Sequence, residues 1–232
     1  MASAESDSGA GAAADPRIPV TVITGFLGSG KTTLLNYILT STKHERKIAV
    51  IENEFGEVGV DDALLAANTK EHVAEEIIEM MNGCICCTVR ADLVTVLKRL
   101  AKRVIDGGLR LDAIVIETTG MADPAPVAQT FFVDPDVEAF ARLDGIVTLV
   151  DAKHIEAHLD DKKPDGVENE AVEQVAFADR ILLNKIDLAT EEELARVEGR
   201  LQAINRFAPI RRCQRSEVDV DSVLNIRGFD LQ

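Results

Sequence analysis

The apolar residues of this chain fall into short runs separated by stretches with helical spacing. Seven runs are predicted to be strands: residues 18–24, 47–51, 72–78, 112–117, 145–151, 180–184 and 209–213. Helices are predicted at residues 33–39, 91–105, 191–204 and 219–224. Thr190 before the third of these, with Glu193 three positions later, has the pattern of a capping box. The alternation predicts an α/β fold with a mostly parallel sheet covered by helices on both faces.

Composition limits the kinds of partner. The chain has 232 residues, 46% of them hydrophobic, and a formal net charge of −15. Such acidity argues against a nucleic-acid partner, because lysine and arginine drive that binding. No run approaches the roughly 20 apolar residues that span a bilayer, so no membrane association is expected. Residues 18–232 are long enough for one domain.

The first 17 residues differ in character from the rest. They are predicted to be a disordered, weakly acidic tail, since residues 1–15 are rich in Ala, Gly and Ser and contain no lysine or arginine. A secretory signal or an organelle presequence needs positive charge, so a cytoplasmic location is expected.

A glycine-rich segment follows the first predicted strand. Residues 25–32 read GFLGSGKT, which is a phosphate-binding P-loop. Such a loop turns backbone N–H groups toward an anion at a helix N-terminus. We expect Lys31 to reach the β- and γ-phosphates and Thr32 to ligate Mg²⁺. The predicted phosphate-site residues are Gly25, Gly28, Ser29, Gly30, Lys31, Thr32 and Thr33. The alternative, a glycine-rich turn with a surface lysine, is disfavoured by the flanking strand and helix.

A base site is predicted where the strand at residues 180–184 ends. The sequence there reads NKID, from Asn184 to Asp187. A carboxylate at Asp187 accepts hydrogen bonds from the ring N–H and exocyclic amine of guanine. Adenine has an acceptor at the matching ring position, so Asp187 would lose its partners at a cost of about 1–3 kcal/mol. Asn184 would brace the loops and Lys185 would cover the base. The alternative is a surface loop.

The segment ETTG, from Glu117 to Gly120, ends another predicted strand. Glu117 can hold the magnesium shell or orient water, and Gly120 can place an N–H beside the γ-phosphate. Lys31, Thr32 and Glu117 are therefore the predicted catalytic residues. The alternative for Glu117 is a strand-end glutamate in a polar loop. No arginine finger or catalytic glutamine is recognisable, which predicts slow hydrolysis by the isolated chain.

Three of the four cysteines are clustered in one turn, at Cys84, Cys86 and Cys87. Three thiolates suit Zn²⁺ and leave a fourth position for a carboxylate, water or another protein. Glu52 and Glu57 lie in the acidic loop ENEFGE, which is predicted to respond to nucleotide as switch loops do, and they are candidate additional ligands. Copper(I) binding, a redox pair and simple core packing are the alternatives for the cysteines.

The segments GFLGSGKTT, ENEFGE, NGCICC, ETTG and NKID, in this order, closely resemble the CobW-like family of metal-delivery GTPases, including its zinc-regulated GTPase metalloprotein activators. The resemblance covers about residues 19–231. It implies a P-loop GTPase domain that uses GTP and Mg²⁺, binds Zn²⁺ at the cysteine motif and passes it to a client apo-metalloprotein.

Two departures from the family pattern bear on the client. The family usually continues into a smaller C-terminal domain, and residues 225–231 resemble the linker to it. The chain is therefore expected to be a fragment or a form that works without that domain. The tail lacks the Cys-Pro segment with which some members reach a methionine aminopeptidase, so that client is not expected. A homo-oligomer, a nucleotide-gated zinc sensor or buffer and a P-loop kinase stay open, although residues 184–187 argue against the kinase.

Overall fold

A seven-stranded parallel sheet forms the centre of the protein. The computed structural model describes residues 15–41, 44–52, 76–79, 88–164 and 166–229. The strands are β1 (Ile18–Gly25), β2 (Ile48–Glu52), β3 (Glu76–Glu79), β4 (Ala113–Glu117), β5 (Ala141–Asp151), β6 (Arg180–Asn184) and β7 (Ile210–Arg212). Their order in the sheet is β3-β2-β4-β1-β5-β6-β7. The predicted parallel architecture is confirmed.

Seven α-helices accompany the strands in the described ranges. They are α1 (Lys31–Thr40), α2 (Thr88–Ile105), α3 (Ala125–Val133), α4 (Pro135–Phe140), α5 (Ile155–Leu159), α6 (Glu170–Ala176) and α7 (Glu191–Ile204). The predicted capping box of α7 is present: the Thr190 hydroxyl accepts from the Glu193 N–H, and the Glu193 carboxylate accepts from the Thr190 N–H. Within the described ranges, no helix has the length and apolar content that crossing a bilayer requires.

Several predicted bounds differ from the structure. The strand predicted at residues 145–151 begins at Ala141, because the buried Asp144 does not interrupt it. The helix predicted at residues 219–224 is a single 3₁₀ turn, Val220–Ser222. Of the strand predicted at residues 72–78, β3 covers the last part and residues 72–75 lie outside the described ranges. Helices α3 to α6 are absent from the prediction, because each is too short to show clear periodicity.

The alternation of side chains along the strands gives the sheet two buried faces. On one face, Val20 and Val22 of β1 lie in a core with residues of α2, α3 and α4, and this cover continues through α5, α6 and α7. On the other face, Ile23 packs with α1 and with Val220, Val223 and Leu224 of residues 213–229, which we call the C-terminal segment. Because both faces are covered, the carboxyl ends of the strands are the open edge at which α/β proteins bind ligands.

A bulge in β5 holds the C-terminal segment. The register between β1 and β5 shifts between Val20 and Thr21, which makes Asp144 the extra residue. Its fully buried carboxylate accepts hydrogen bonds from the N–H of Ile226 at 2.7 Å and of Arg227 at 3.1 Å. The bulge therefore turns one acidic side chain into an anchor for this segment.

We predict that Asp144→Ala lowers the free energy of unfolding by about 2–3 kcal/mol, because hydrogen bonds to a buried charge are lost. Trypsin should also cleave faster after Arg227, since its N–H is no longer held. Urea denaturation and mass spectrometry of the digest measure the two effects. Asp106→Ala, the same truncation at an exposed position, should change stability by no more than about 0.5 kcal/mol. Unchanged cleavage in Asp144→Ala would contradict the anchoring role.

Candidate nucleotide-binding site

The P-loop between β1 and α1 is a tight turn that depends on glycine. The Ser29 N–H donates to the Phe26 carbonyl at 3.1 Å, and Gly28 and Gly30 adopt left-handed φ values of 76° and 109°. A Cβ atom on Gly30 would lie 2.5 Å from Nδ2 of Asn184. A side chain at this position is therefore excluded both by the backbone conformation and by contact.

Lys31, the first residue of α1, points its charge back into the loop. The side chain is buried, and Nζ donates to the carbonyl oxygens of Gly25 at 2.8 Å and Phe26 at 3.3 Å. Burial lowers the pKa of Lys31, while the nearby Glu117 carboxylate opposes that change. These two partners are neutral carbonyls, so the ammonium group is available to neutralise an anion that the loop N–H groups bind.

Glu117 lies beside the P-loop because β4 is the neighbour of β1. It pairs in register with Ile23, and its Oε1 accepts a hydrogen bond from the Thr32 hydroxyl at 3.2 Å. Glu52, at the end of β2, pairs in register with Glu117. Carboxylate and hydroxyl oxygens are the ligands that Mg²⁺ prefers, so the chemistry of Thr32 and Glu117 fits that ion.

Asn184 connects the P-loop to the loop after β7. Its buried Nδ2 donates to the Ser29 carbonyl and to the Ser216 hydroxyl, both at 2.9 Å, and its Oδ1 accepts from the Ser216 N–H at 3.0 Å. The Ser216 hydroxyl in turn donates to the Gly30 carbonyl at 3.0 Å. The two side chains thus hold the P-loop against the end of β6.

A pocket of about 450 Å³ opens beside this network. It is lined by Gly28, Gly30, Thr33, Asn184, Lys185, Asp187, Leu188, Arg215 and Ser216. Six of these nine residues are in the predicted nucleotide set. The sequence analysis missed Leu188, Arg215 and Ser216; for the last two, the available signal is their place just after the carboxyl end of a parallel strand.

Lys185 is fixed by an acid that the sequence analysis also missed. Its backbone is left-handed, with φ of 60°, and its Nζ donates to Oδ2 of Asp151 at 2.8 Å. Oδ2 of Asp151 also lies 3.0 Å from the ring nitrogen Nδ1 of His154. Burial acts to raise the pKa of Asp151, but the hydrogen bonds from Lys185 and His154 hold it below the ordinary value. Asp151 therefore stays ionised and fixes the direction of the Lys185 side chain.

Gly120 lies directly against the P-loop. A Cβ atom there would be 2.6 Å from the backbone nitrogen of Leu27. The segment that begins at Glu117 is thus brought to the phosphate end of the loop, where any larger residue at position 120 would displace it.

The predicted zinc residues are mostly beyond what the structure describes. Cys84, Cys86, Cys87 and Glu57 lie outside the described residues, and Glu52 ends β2. Among the described residues, no three His, Cys, Asp or Glu side chains are grouped to hold a metal. The remaining cysteine, Cys213, is buried, and burial raises the pKa of its thiol to about 11, so it stays protonated at neutral pH.

Comparison with known families decides the kind of domain. The family described as CobW/HypB/UreG, nucleotide-binding domain, matches residues 19–212, which include the P-loop, the ETTG segment and Asn184 to Asp187. The chain belongs to this family.

Two curated relatives carry metal-related names. The zinc chaperone YjiA of Escherichia coli is 43% identical over 215 residues, which are 93% of this chain and 63% of that protein. Zinc-regulated GTPase metalloprotein activator 1 of Dictyostelium discoideum is 38% identical over 242 aligned positions, covering 93% of this chain and 50% of that protein. The chain therefore spans about half to just under two thirds of these relatives.

Solved structures agree with the fold. The crystal structure of Zn(II)-bound YjiA GTPase from E. coli superposes with a TM-score of 0.69 and 36% identity, covering 93% of this chain and 64% of that chain. The hydrogenase maturation factor HypB from Archaeoglobus fulgidus superposes with a TM-score of 0.53 and 18% identity, covering 90% of this chain and 85% of that chain. The second likeness concerns the fold alone.

We predict that Gly30→Ala lowers the free energy of unfolding by about 3 kcal/mol or more, because left-handed strain and overpacking add. Gly107→Ala is the matched control, since Gly107 has φ of 73° and open space around a Cβ atom. It should cost only about 1–2 kcal/mol. Urea denaturation of both nucleotide-free variants measures the difference. Equal losses would show that the approach of Gly30 to Asn184 and Ser216 does not constrain the loop.

Proposed function

We propose that this chain is the GTP-hydrolysing domain of a zinc metallochaperone. It binds GTP with Mg²⁺, holds Zn²⁺ through the Cys-x-Cys-Cys motif at residues 84–87, and transfers the zinc to a client apo-metalloprotein. The observation that carries the proposal is the joining of a P-loop and an Asn184-to-Asp187 pocket at one sheet edge, in a chain of this family. The names of the relatives, a zinc chaperone and a zinc-regulated GTPase, support it.

Guanine recognition rests on Asp187 at the rim of the pocket. Asp187 lies in the 3₁₀ turn Ile186–Leu188, directly after Lys185. Its carboxylate accepts from the ring N–H and the amine of guanine, while the Lys185 stem, directed by Asp151, covers one face of the base. Leu188, about half exposed at the same rim, adds apolar contact.

Hydrolysis uses the residues around the phosphate end of the loop. Lys31 leaves the carbonyls of Gly25 and Phe26 to neutralise the β- and γ-phosphates, and Gly120 donates its N–H to the γ-phosphate. Thr32 and Glu117 would hold Mg²⁺, which when bound would neutralise charge on the phosphates. Alternatively, Glu117 orients the water that attacks the γ-phosphorus. The bond from this phosphorus to the β-phosphate oxygen breaks, the water proton passes to the released phosphate, and the products are GDP and inorganic phosphate. The rate is slow, because the sequence has no recognisable arginine finger or catalytic glutamine.

Zinc is the cargo, and it is coupled to nucleotide. Cys84, Cys86 and Cys87 supply three thiolates, with Glu57 or Glu52 as a further ligand. GTP and Mg²⁺ draw residues 52–62 and the cysteine motif into one arrangement, and hydrolysis relaxes it. Coupling is reciprocal, so zinc alters GTP affinity by the factor by which GTP alters zinc affinity.

We predict that Asp187→Asn lowers GTP affinity by about 10- to 100-fold and raises affinity for xanthosine triphosphate, because an amide donates to the xanthine C2 carbonyl where a carboxylate repels it. Calorimetric titration of wild type and variant with GTP, xanthosine triphosphate and ATP measures this. Asp106→Asn is the control and should match wild type, because Asp106 is exposed and does not line the pocket. Tight ATP binding by the wild-type protein would count against guanine selection.

We predict that Cys86→Ser weakens zinc binding and abolishes its dependence on nucleotide. Titrations with a zinc chelator dye, with and without GTP and Mg²⁺, should differ by about 5- to 150-fold in the wild-type protein. Cys213→Ser is the matched control, because Cys213 lies outside the motif and serine keeps a donor for Oδ1 of Asn184, the partner of the Cys213 thiol. The same zinc affinity for wild type and Cys86→Ser under both conditions would overturn the coupling.

Delivery is separated from storage by the transfer step. Zinc passed from the loaded protein to an apoenzyme should move faster with GTP than with a non-hydrolysable analogue. Equal rates would favour a zinc sensor or buffer whose hydrolysis is incidental.

A further inference from the structure

The side chain of Gln174, on α6, reaches across to the segment that ends at the phosphate site. It is 1% exposed, and its Nε2 donates hydrogen bonds to the carbonyl oxygens of Gly120 and Ala122, both at 3.2 Å. Only the nitrogen of the amide can donate, so two carbonyl partners fix the orientation of the side chain. Both N–H groups of the amide are thus used to hold this one loop.

The support behind Gln174 is itself fixed. The Thr148 hydroxyl of β5 donates to the backbone carbonyl of Gln174 at 2.7 Å, and both residues are buried. At the start of α6, the Asn169 side chain accepts from the N–H groups of Ala171 and Val172. The amide of Gln174 is therefore presented from a helix that is capped at one end and bonded to the central sheet.

The loop is held at two points in its length. The Thr118 N–H donates to the Ile23 carbonyl of β1 at 2.9 Å, which fixes its start. At Gly120 it lies against Leu27 of the P-loop, with no side chain to keep it there. Within the loop, the Ala122 N–H donates to the Thr119 carbonyl at 3.1 Å and closes the turn around Gly120, and the two hydrogen bonds from Gln174 hold that turn from α6.

We propose that Gln174 is a positioning residue that sets the preference of the site for GTP over GDP. By holding the Gly120 carbonyl, it keeps the Gly120 N–H where a γ-phosphate accepts it. Replacing it with an apolar side chain leaves the buried Gly120 carbonyl and the partly buried Ala122 carbonyl without this donor, and the loop shifts to find others. GDP has no γ-phosphate, so its affinity is independent of this contact. The inference rests on the proposed guanine-nucleotide function.

The test compares a non-hydrolysable GTP analogue with GDP on Gln174→Met, which keeps length but removes the donors. The analogue affinity should fall about tenfold while the GDP affinity stays within about twofold. Gln202→Met, at an exposed position of α7, is the matched control and should leave both affinities unchanged. Retained GDP binding also shows that the variant is folded.

The outcomes are distinct. Equal losses for both nucleotides in a folded Gln174→Met, or no loss for either, would overturn the positioning role. If Gln174→Met does not fold, Thr148→Val replaces it, because it removes only the bond that fixes the Gln174 backbone. It should lower the analogue-to-GDP affinity ratio in the same direction, and an unchanged ratio would overturn the inference. A wild-type protein that binds neither nucleotide would instead refute the proposed function.

Discussion

The packing of Gly30 against Asn184 and Ser216 is the constraint on which the rest of the site depends. It fixes the P-loop to the end of β6, so that the proposed phosphate site and the proposed base site keep one distance from each other. The same contact explains why position 30 has to be glycine in a left-handed conformation. Strands β1 and β6 are not neighbours, because β5 lies between them, and these side chains link their carboxyl ends.

Charge at this edge is arranged in fixed pairs despite the strongly acidic composition. Lys31 is held by carbonyls with Glu117 nearby, and Lys185 is held by Asp151. Lys185 therefore keeps one position, which reduces the conformational entropy that the proposed base contact would otherwise cost, whereas Lys31 has to leave its carbonyl partners to reach a phosphate. Because the formal net charge is −15, the phosphate binding that we propose depends on the loop N–H groups and on Lys31.

The sequence predicted those features that depend on local pattern. β6 and α7 have the predicted bounds, because an apolar run and a capping box mark them directly. The residues that hold the loops of the site in place could not be predicted in the same way. Ser216, Asp151 and Gln174 act through contacts with residues far away in sequence, at separations of 32, 34 and 54 positions. Their roles follow from the strand order, which single-sequence periodicity does not specify.

The C-terminal segment contacts helices on both faces of the sheet. It lies beside the pocket at Ser216, crosses the face covered by α1 through Val223, and is hydrogen-bonded to Asp144 near the amino end of β5. Beyond that point the ring of Phe229 lies 5.8 Å from the ring of Phe132 in α3, which covers the opposite face. Residues 213–229 thus contact both faces of the sheet. A displacement of Ser216 would therefore be opposed by the contacts that hold the other end of the same segment.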